Sequence, residues 1–173
     1  MVLVSAADEP AKRAASYAQS RQLVIDFQYP LGQGIDGIVW ETSRPSALKV
    51  LERAQTYRLE VECYRRLQDA RLSRIRDFAV PKLVDADDEL LAIEMTIVSP
   101  PFLLDFGKVY LDSPPPYWND SEIMANWEAE GKENFGEQWS IVLSLVGALQ
   151  KYGIWYVDPK PATSCLVIEF AAR

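Results

Sequence analysis

The segment LGQGIDGIVWETSRPSALKVLE, residues 31–52, constrains the fold most. Glycines at Gly32, Gly34 and Gly37 are followed at once by β-branched and aromatic residues. A G-x-G-x-x-G run can belong to several phosphate loops. The P-loop kind ends in Gly-Lys-Ser/Thr, which is absent here. The dinucleotide-binding kind opens a helix, so that a pyrophosphate rests on the helix N-terminus. Ile38-Val39-Trp40-Glu41-Thr42 is a poor helix start and a good strand. That leaves a glycine hairpin, either folded over a phosphate or an ordinary turn.

The surrounding pattern extends the hairpin into an antiparallel sheet. Strands are predicted at Leu23–Gln28, Gly37–Thr42, Ala47–Leu51, Lys82–Asp85 and within Leu90–Val98, joined by short turns such as Arg44-Pro45-Ser46 and Ala86-Asp87-Asp88. Tyr57–Leu72 has helical spacing, with Leu59, Cys63, Leu67 and Leu72 on an apolar face. Pro100-Pro101 ends the last strand, and Ser113-Pro114-Pro115-Pro116 marks a loop. The second half is predicted to be mostly helical. Asp120 or Ser121 caps one helix; a second runs from Gln138 to Lys151, with Ile141, Val142, Leu145, Val146 and Leu149 on one face and Gly153 as its stop. Asp8, Glu9 and Pro10 read as the start of a short surface helix.

Composition narrows the function classes. The net charge of −7 argues against a nucleic-acid partner, which needs a basic face. No apolar run approaches the roughly 20 residues needed to cross a bilayer, so no membrane partner is expected. The N-terminal stretch lacks the pattern of a signal peptide. With no histidine and only Cys63 and Cys165, histidine-based triads, zinc clusters and a disulfide framework are not expected, and a reduced, cytoplasmic setting is.

Lys49 lies on the strand after the hairpin, and Glu60 is the best-placed helix carboxylate to orient it, with Glu62 its nearest rival. Together with Gly32 to Val39, Ala47-Leu48-Lys49, Ile93-Glu94-Met95-Thr96 and Gly153-Ile154-Trp155-Tyr156-Val157-Asp158-Pro159-Lys160-Pro161, this order resembles the protein-kinase family over roughly residues 22–167. The resemblance implies an α+β fold: an N-terminal helical extension over 1–21, a five-stranded antiparallel N-lobe with one main helix over 22–98, and a reduced, mostly helical C-lobe over 99–173. It implies ATP with Mg²⁺ between the lobes. Gly32, Gly34 and Gly37 would approach the phosphates, Val39 would cover the base, and Lys49, held by Glu60, would bind the α- and β-phosphates. The backbones of Glu94 and Thr96 would meet the adenine edge with Ile93 behind it, and Asp105 would touch the ribose. Asp158 matches the catalytic base, Lys160 the lysine that steadies the transferring phosphate, and Thr163 stands where the family has a metal-binding asparagine.

The chain also departs from the family. Tyr156 and Val157 replace the usual His and Arg, and the D-F-G motif is not present. Ala162-Thr163-Ser164 is what a Gly-Asn-Ile codon run gives when read one base late, so a frameshifted end over 162–173 is one expectation. Small bacterial kinase-like proteins with a naturally short C-lobe are another. Three functions follow: an ATP-binding kinase-like protein with low or no Ser/Thr phosphotransfer; a pseudokinase interaction module that offers Ile141, Val142, Leu145 and neighbouring tryptophans to a protein partner or a second copy; or a small-molecule kinase of the aminoglycoside type, whose H-G-D signature is missing.

Overall fold

The computed structural model describes residues 8–76, 78–98 and 106–159. In chain order the elements are α1 (Asp8–Arg21), β1 (Gly32–Gly34), β2 (Gly37–Glu41), β3 (Ser46–Leu51), α2 (Ala54–Asp69), β4 (Arg74–Ile75), β5 (Phe78–Ala79), β6 (Leu83–Asp87), β7 (Ala92–Thr96), β8 (Val109–Leu111), α3 (Ser121–Phe135), a 3₁₀ turn (Gly136–Gln138), α4 (Trp139–Gln150) and β9 (Ile154–Tyr156). The fold is α+β. Its described residues form two compact units, one up to Arg65 together with Pro81–Ile97, the other Arg66–Val80 together with the described residues from Val98 onward.

The first unit is built on a five-stranded antiparallel sheet in the order β1-β2-β3-β7-β6. All six residues of β3 are buried, as expected of a central strand covered on both sides. Directly opposed residues share a face, so the register sorts the side chains. Ile38, Val50 and Ala92 form one row, and Trp40, Leu48, Glu94 and Asp85 another, on the same face. That face packs on α1 through Ala14, Tyr17 and Ala18, all buried.

Two expectations are corrected here. Leu23–Gln28 is not a strand; only Ile25 forms a bridge, to Thr42, and Val24 is 73% exposed. The edge strand is instead the glycine segment Gly32–Gly34. Nor is α1 a surface helix. Its buried stripe of alanines and one tyrosine has little apolar bulk, so the sequence reads as solvated although every third or fourth residue is covered. Arg13 Nη1 donates to the Leu51 and Leu90 carbonyls at 2.8 and 3.2 Å, which ties the helix to the sheet. The turn expected at Ala86-Asp87-Asp88 falls later, over residues 88–91, because β6 continues through Asp87.

A polar network joins α1 to the sheet. The Tyr17 hydroxyl donates to Glu94 Oε2 at 3.1 Å and Asp85 Oδ2 at 3.2 Å, and Ser46 Oγ donates to Glu94 Oε1 at 2.6 Å. Arg21 pairs with Asp85 at 2.9 Å and Asp87 at 3.1 Å while lying over the Tyr17 ring. Burial, and then the Glu94 and Asp85 carboxylates, hold the Tyr17 phenol protonated well above the ordinary tyrosine range. Burial alone would raise the Asp85 carboxyl, but hydrogen bonds from Arg21, the Ala86 N–H and Tyr17 outweigh it and hold it below its usual range.

In the second unit, Asp120 caps α3 by accepting from the Glu122 and Ile123 N–H groups. Val142, Leu145, Val146 and Leu149 of α4 are buried, whereas Ile141 is 41% exposed, which corrects the expected single apolar face. Val142 and Leu145 are therefore not available as an uncovered surface. β8 and β9 pair, Val109 opposite Tyr156. The tryptophans form a ladder of ring contacts, Trp155–Trp118–Trp127–Trp139, with centroids 5.2, 6.1 and 5.0 Å apart. Gly153, at φ +70°, leaves room for the Arg66–Asp112 pair, whose two N–H···O contacts measure 2.7 and 2.9 Å.

Two predictions follow from this packing. A Cβ on Gly37 would run into the Val50 carbonyl, so Gly37→Ala is expected to cost about 1–3 kcal/mol in urea unfolding. Asp85, with its depressed folded value, adds stability above the unfolded aspartate value of about 4 and loses it as pH falls through the folded one. Melting curves from about pH 5 to about pH 2.5 should therefore show a steeper loss for wild type than for Asp85→Asn.

Candidate functional site

Gly32, Val39, Lys49 and Ile93 are opposed in turn across four strands and so lie in one row on the face opposite α1. Gly34, Gly37 and Leu51 form the next row on the same face. The hairpin thus sets all three glycines, Val39 and Lys49 on one surface. Its tip is pinned from below: Asp36 accepts from Arg53 Nη2 at 2.6 Å, and its carbonyl accepts the Glu52 N–H at 3.1 Å. Ile35, beside it, is 89% exposed.

The three glycines answer different demands. Gly37 is fixed by its close approach to β3. At Gly32 and Gly34 an added Cβ would meet nothing within 4 Å, and neither has a positive φ. Neither packing nor backbone conformation requires glycine there. The space above these two positions is open.

Lys49 points from this row to α2. Its Nζ donates to both carboxylate oxygens of Glu60, each at 2.8 Å. Lys49 is 7% exposed and Glu60 fully buried. The carboxylate that meets Lys49 is therefore that of Glu60. The Tyr64 hydroxyl, one helical turn on, lies 3.5 Å from Glu60 Oε1 and 3.4 Å from Met95 Sδ. Tyr64 stands at i+4 from Glu60, and that spacing is the signal in the sequence for this second contact.

Glu94 and Thr96 lie elsewhere than a free nucleotide edge requires. β7 is an interior strand between β3 and β6, the Thr96 N–H donates to the Lys82 carbonyl at 2.9 Å, and the Glu94 side chain faces α1. Sheet partners occupy this stretch of backbone because β7 runs through Thr96.

In the second unit, Asp158 follows β9, and its Oδ2 lies 2.8 Å from Lys108 Nζ. The Trp127 indole donates to the adjoining Val157 carbonyl at 2.8 Å. Tyr156 is buried against Phe106. Asp105, Lys160 and Thr163 lie outside the described residues. Among the described residues no three His, Cys, Asp or Glu side chains gather as a metal-binding group, so no protein ligand set for Mg²⁺ is assigned. None of the helices described is long and apolar enough to cross a membrane.

No protein-family model matches the chain, and no curated protein and no solved structure matches it.

The ion pair makes a direct prediction. Lys49→Met leaves a buried carboxylate facing no ammonium, and Glu60→Leu does the converse, so each should cost about 3–5 kcal/mol. The double variant, apolar on both sides, should be near neutral, so the coupling by urea unfolding should approach the sum of the two single losses. Additive losses would mean that the pair is not energetically coupled.

Proposed function

We propose that the chain is a kinase-like nucleotide-binding protein, in which ATP phosphates lie against the Gly32–Gly37 hairpin and Lys49. The observation that carries this reading is the buried Lys49–Glu60 pair, set on the sheet face that also holds the three glycines. Burying an ammonium costs several kcal/mol, and a paired carboxylate repays it only in part. Such a pair is a poor device for stability and a good one for aiming a cation. Glu60 fixes the direction of Nζ, while open space over Gly32 and Gly34 lets phosphate oxygens approach backbone N–H groups. Val39, opposite Lys49, gives an apolar contact for a base.

Phosphotransfer is the weaker part of the proposal. Asp158 would act as general base, but its carboxylate is paired with the Lys108 ammonium at 2.8 Å, and that contact would have to break before Asp158 could accept a proton from a substrate hydroxyl. That contact favours nucleotide binding with little or no turnover. In the alternative reading, the chain is an inactive interaction module. Exposed Ile123, Ile141 and Leu143 favour it as apolar side chains open to a partner.

Calorimetric titration of ATP with Mg²⁺ tests the proposal. Wild type should bind saturably, and Gly34→Val should weaken binding by about tenfold or more while leaving the melting temperature nearly unchanged, since its Cβ meets no protein atom. Lys49→Met should lose about as much, as expected for hydrogen bonds to a charged group of about 1.5–3 kcal/mol. A wild-type protein that binds no ATP sinks the nucleotide reading.

A further inference from the structure

The turn at the tip of the glycine hairpin is Ile35-Asp36, between the opposed residues Gly34 and Gly37. Favoured two-residue hairpin turns have a positive φ at one or both central residues, because only then does the turn follow the right-handed twist of the strands. Neither Ile35 nor Asp36 has a positive φ. A turn without one splays its two strands. β1 is also short, three residues at the edge of the sheet. The tip therefore depends on contacts from outside the hairpin to keep its place.

Two such contacts are present, and both come from the corner between β3 and α2. The Glu52 N–H donates to the Asp36 carbonyl at 3.1 Å, and Arg53 Nη2 donates to Asp36 Oδ1 at 2.6 Å. Arg53 stands four positions after Lys49, just before α2 begins at Ala54. The hairpin tip and the buried lysine are thus tied to one short stretch of chain.

Charge alone gives Asp36 no place beside a phosphate. Lys49 and Glu60 cancel, and so do Asp36 and Arg53, so the four groups bring no net positive charge to an anion. A carboxylate next to Gly37 repels phosphate oxygens, and an uncharged residue would serve a purely electrostatic site better. What the Asp36 carboxylate does supply is an acceptor for Arg53.

We propose that Asp36 and Arg53 are positioning residues of the phosphate site. The pair holds the hairpin tip against the β3–α2 corner, so that the Gly32–Gly37 backbone and Lys49 Nζ meet a phosphate in one fixed arrangement. This rests on the nucleotide reading above and adds a requirement to it. Neither side chain needs to touch the ligand. A hairpin already held in place loses less freedom on binding, which raises affinity without a new contact. The side chains are 29% and 64% exposed, so solvent screens the pair and its effect is a few-fold, not orders of magnitude.

The test is calorimetric titration of ATP with Mg²⁺ on wild type, Asp36→Ala, Arg53→Met and the double variant. Each variant should bind about three- to fivefold more weakly than wild type. The double variant should bind no more weakly than either single one, since all three lack the same contact. Asp36→Ala is decisive. Its site gains a net positive charge, so a role through charge alone predicts tighter binding, and positioning predicts weaker. Amide hydrogen exchange without nucleotide gives a second readout. The Glu52 N–H, bonded to the Asp36 carbonyl, should exchange about threefold faster or more in all three variants, while the amides of β3 and the melting temperature stay near wild type. If wild type binds ATP and Asp36→Ala binds it as tightly or more tightly, the positioning role is overturned and the nucleotide reading stands. Unchanged Glu52 exchange in the variants, or a double variant restored to wild-type affinity, also overturns it. A wild-type protein that binds no ATP overturns both.

Discussion

β3 is buried along its whole length, yet it carries a lysine and a serine, and the first unit is arranged around meeting both demands. An ammonium or hydroxyl taken out of water needs a partner, or it costs several kcal/mol. The partners are two fully buried carboxylates, one on each face of the sheet: Glu60 for Lys49 and Glu94 for Ser46. Each carboxylate then brings in more structure. Glu60 fixes the rotation of α2 about its axis. Glu94 recruits Tyr17 and so fixes the seat of α1, with Arg21, Asp85 and Asp87 closing the network at its solvent side.

The G-x-G-x-x-G pattern compresses two physical requirements into one symbol. Gly37 is a packing glycine: the β3 carbonyl leaves no room for a Cβ. Gly32 and Gly34 are not, since the folded chain has space for a side chain at both. Helix or strand after the third glycine could be read from the sequence, because β-branched and aromatic residues fix it. Which glycines the fold needs could not, because that depends on how closely β2 approaches β3. In the proposed nucleotide reading, the two that the fold does not need are the ones a phosphate would approach.

Much of the first unit was legible because bulk apolar residues mark it. GIVWE, ALKVL and AIEMT lie where strand periodicity puts them, and the five-stranded count is met, although by a different first strand. LVIDFQ has the composition of a strand but only one bridge, Ile25 to Thr42, and its Val24 backbone bonds to Ser43 in the turn after β2 instead of to a strand. α1 was misjudged for the opposite reason. Its contact face is made of alanines, whose small area gives weak periodicity, and its specificity comes from Tyr17, Arg13 and Arg21 acting on residues 38 to 77 positions away in sequence. The Lys49–Glu60 pair was legible only as the better of two choices, with Glu62 as the rival, and the contact with Lys49 decides between them. The occupied backbone at Thr96 was not, since strand length depends on how far β6 follows β7.

The two units use charge differently, and the difference bears on what the Lys49–Glu60 pair is for. In the second unit ion pairs such as Lys108–Asp158 and Arg66–Asp112 keep at least one partner well exposed, where solvent screens them and rearrangement is cheap. In the first unit Lys49 and Glu60 are both taken out of water. Well-packed apolar residues in place of a buried pair are often neutral for stability or improve it by about 1–4 kcal/mol. A fold that needed only stability would be served as well by methionine and leucine. What apolar residues cannot supply is a cation held in one direction beneath two glycines with open space above them. In the reading proposed above, the pair is there for something it positions rather than for what it stabilises, and the group proposed for that sheet face is a phosphate.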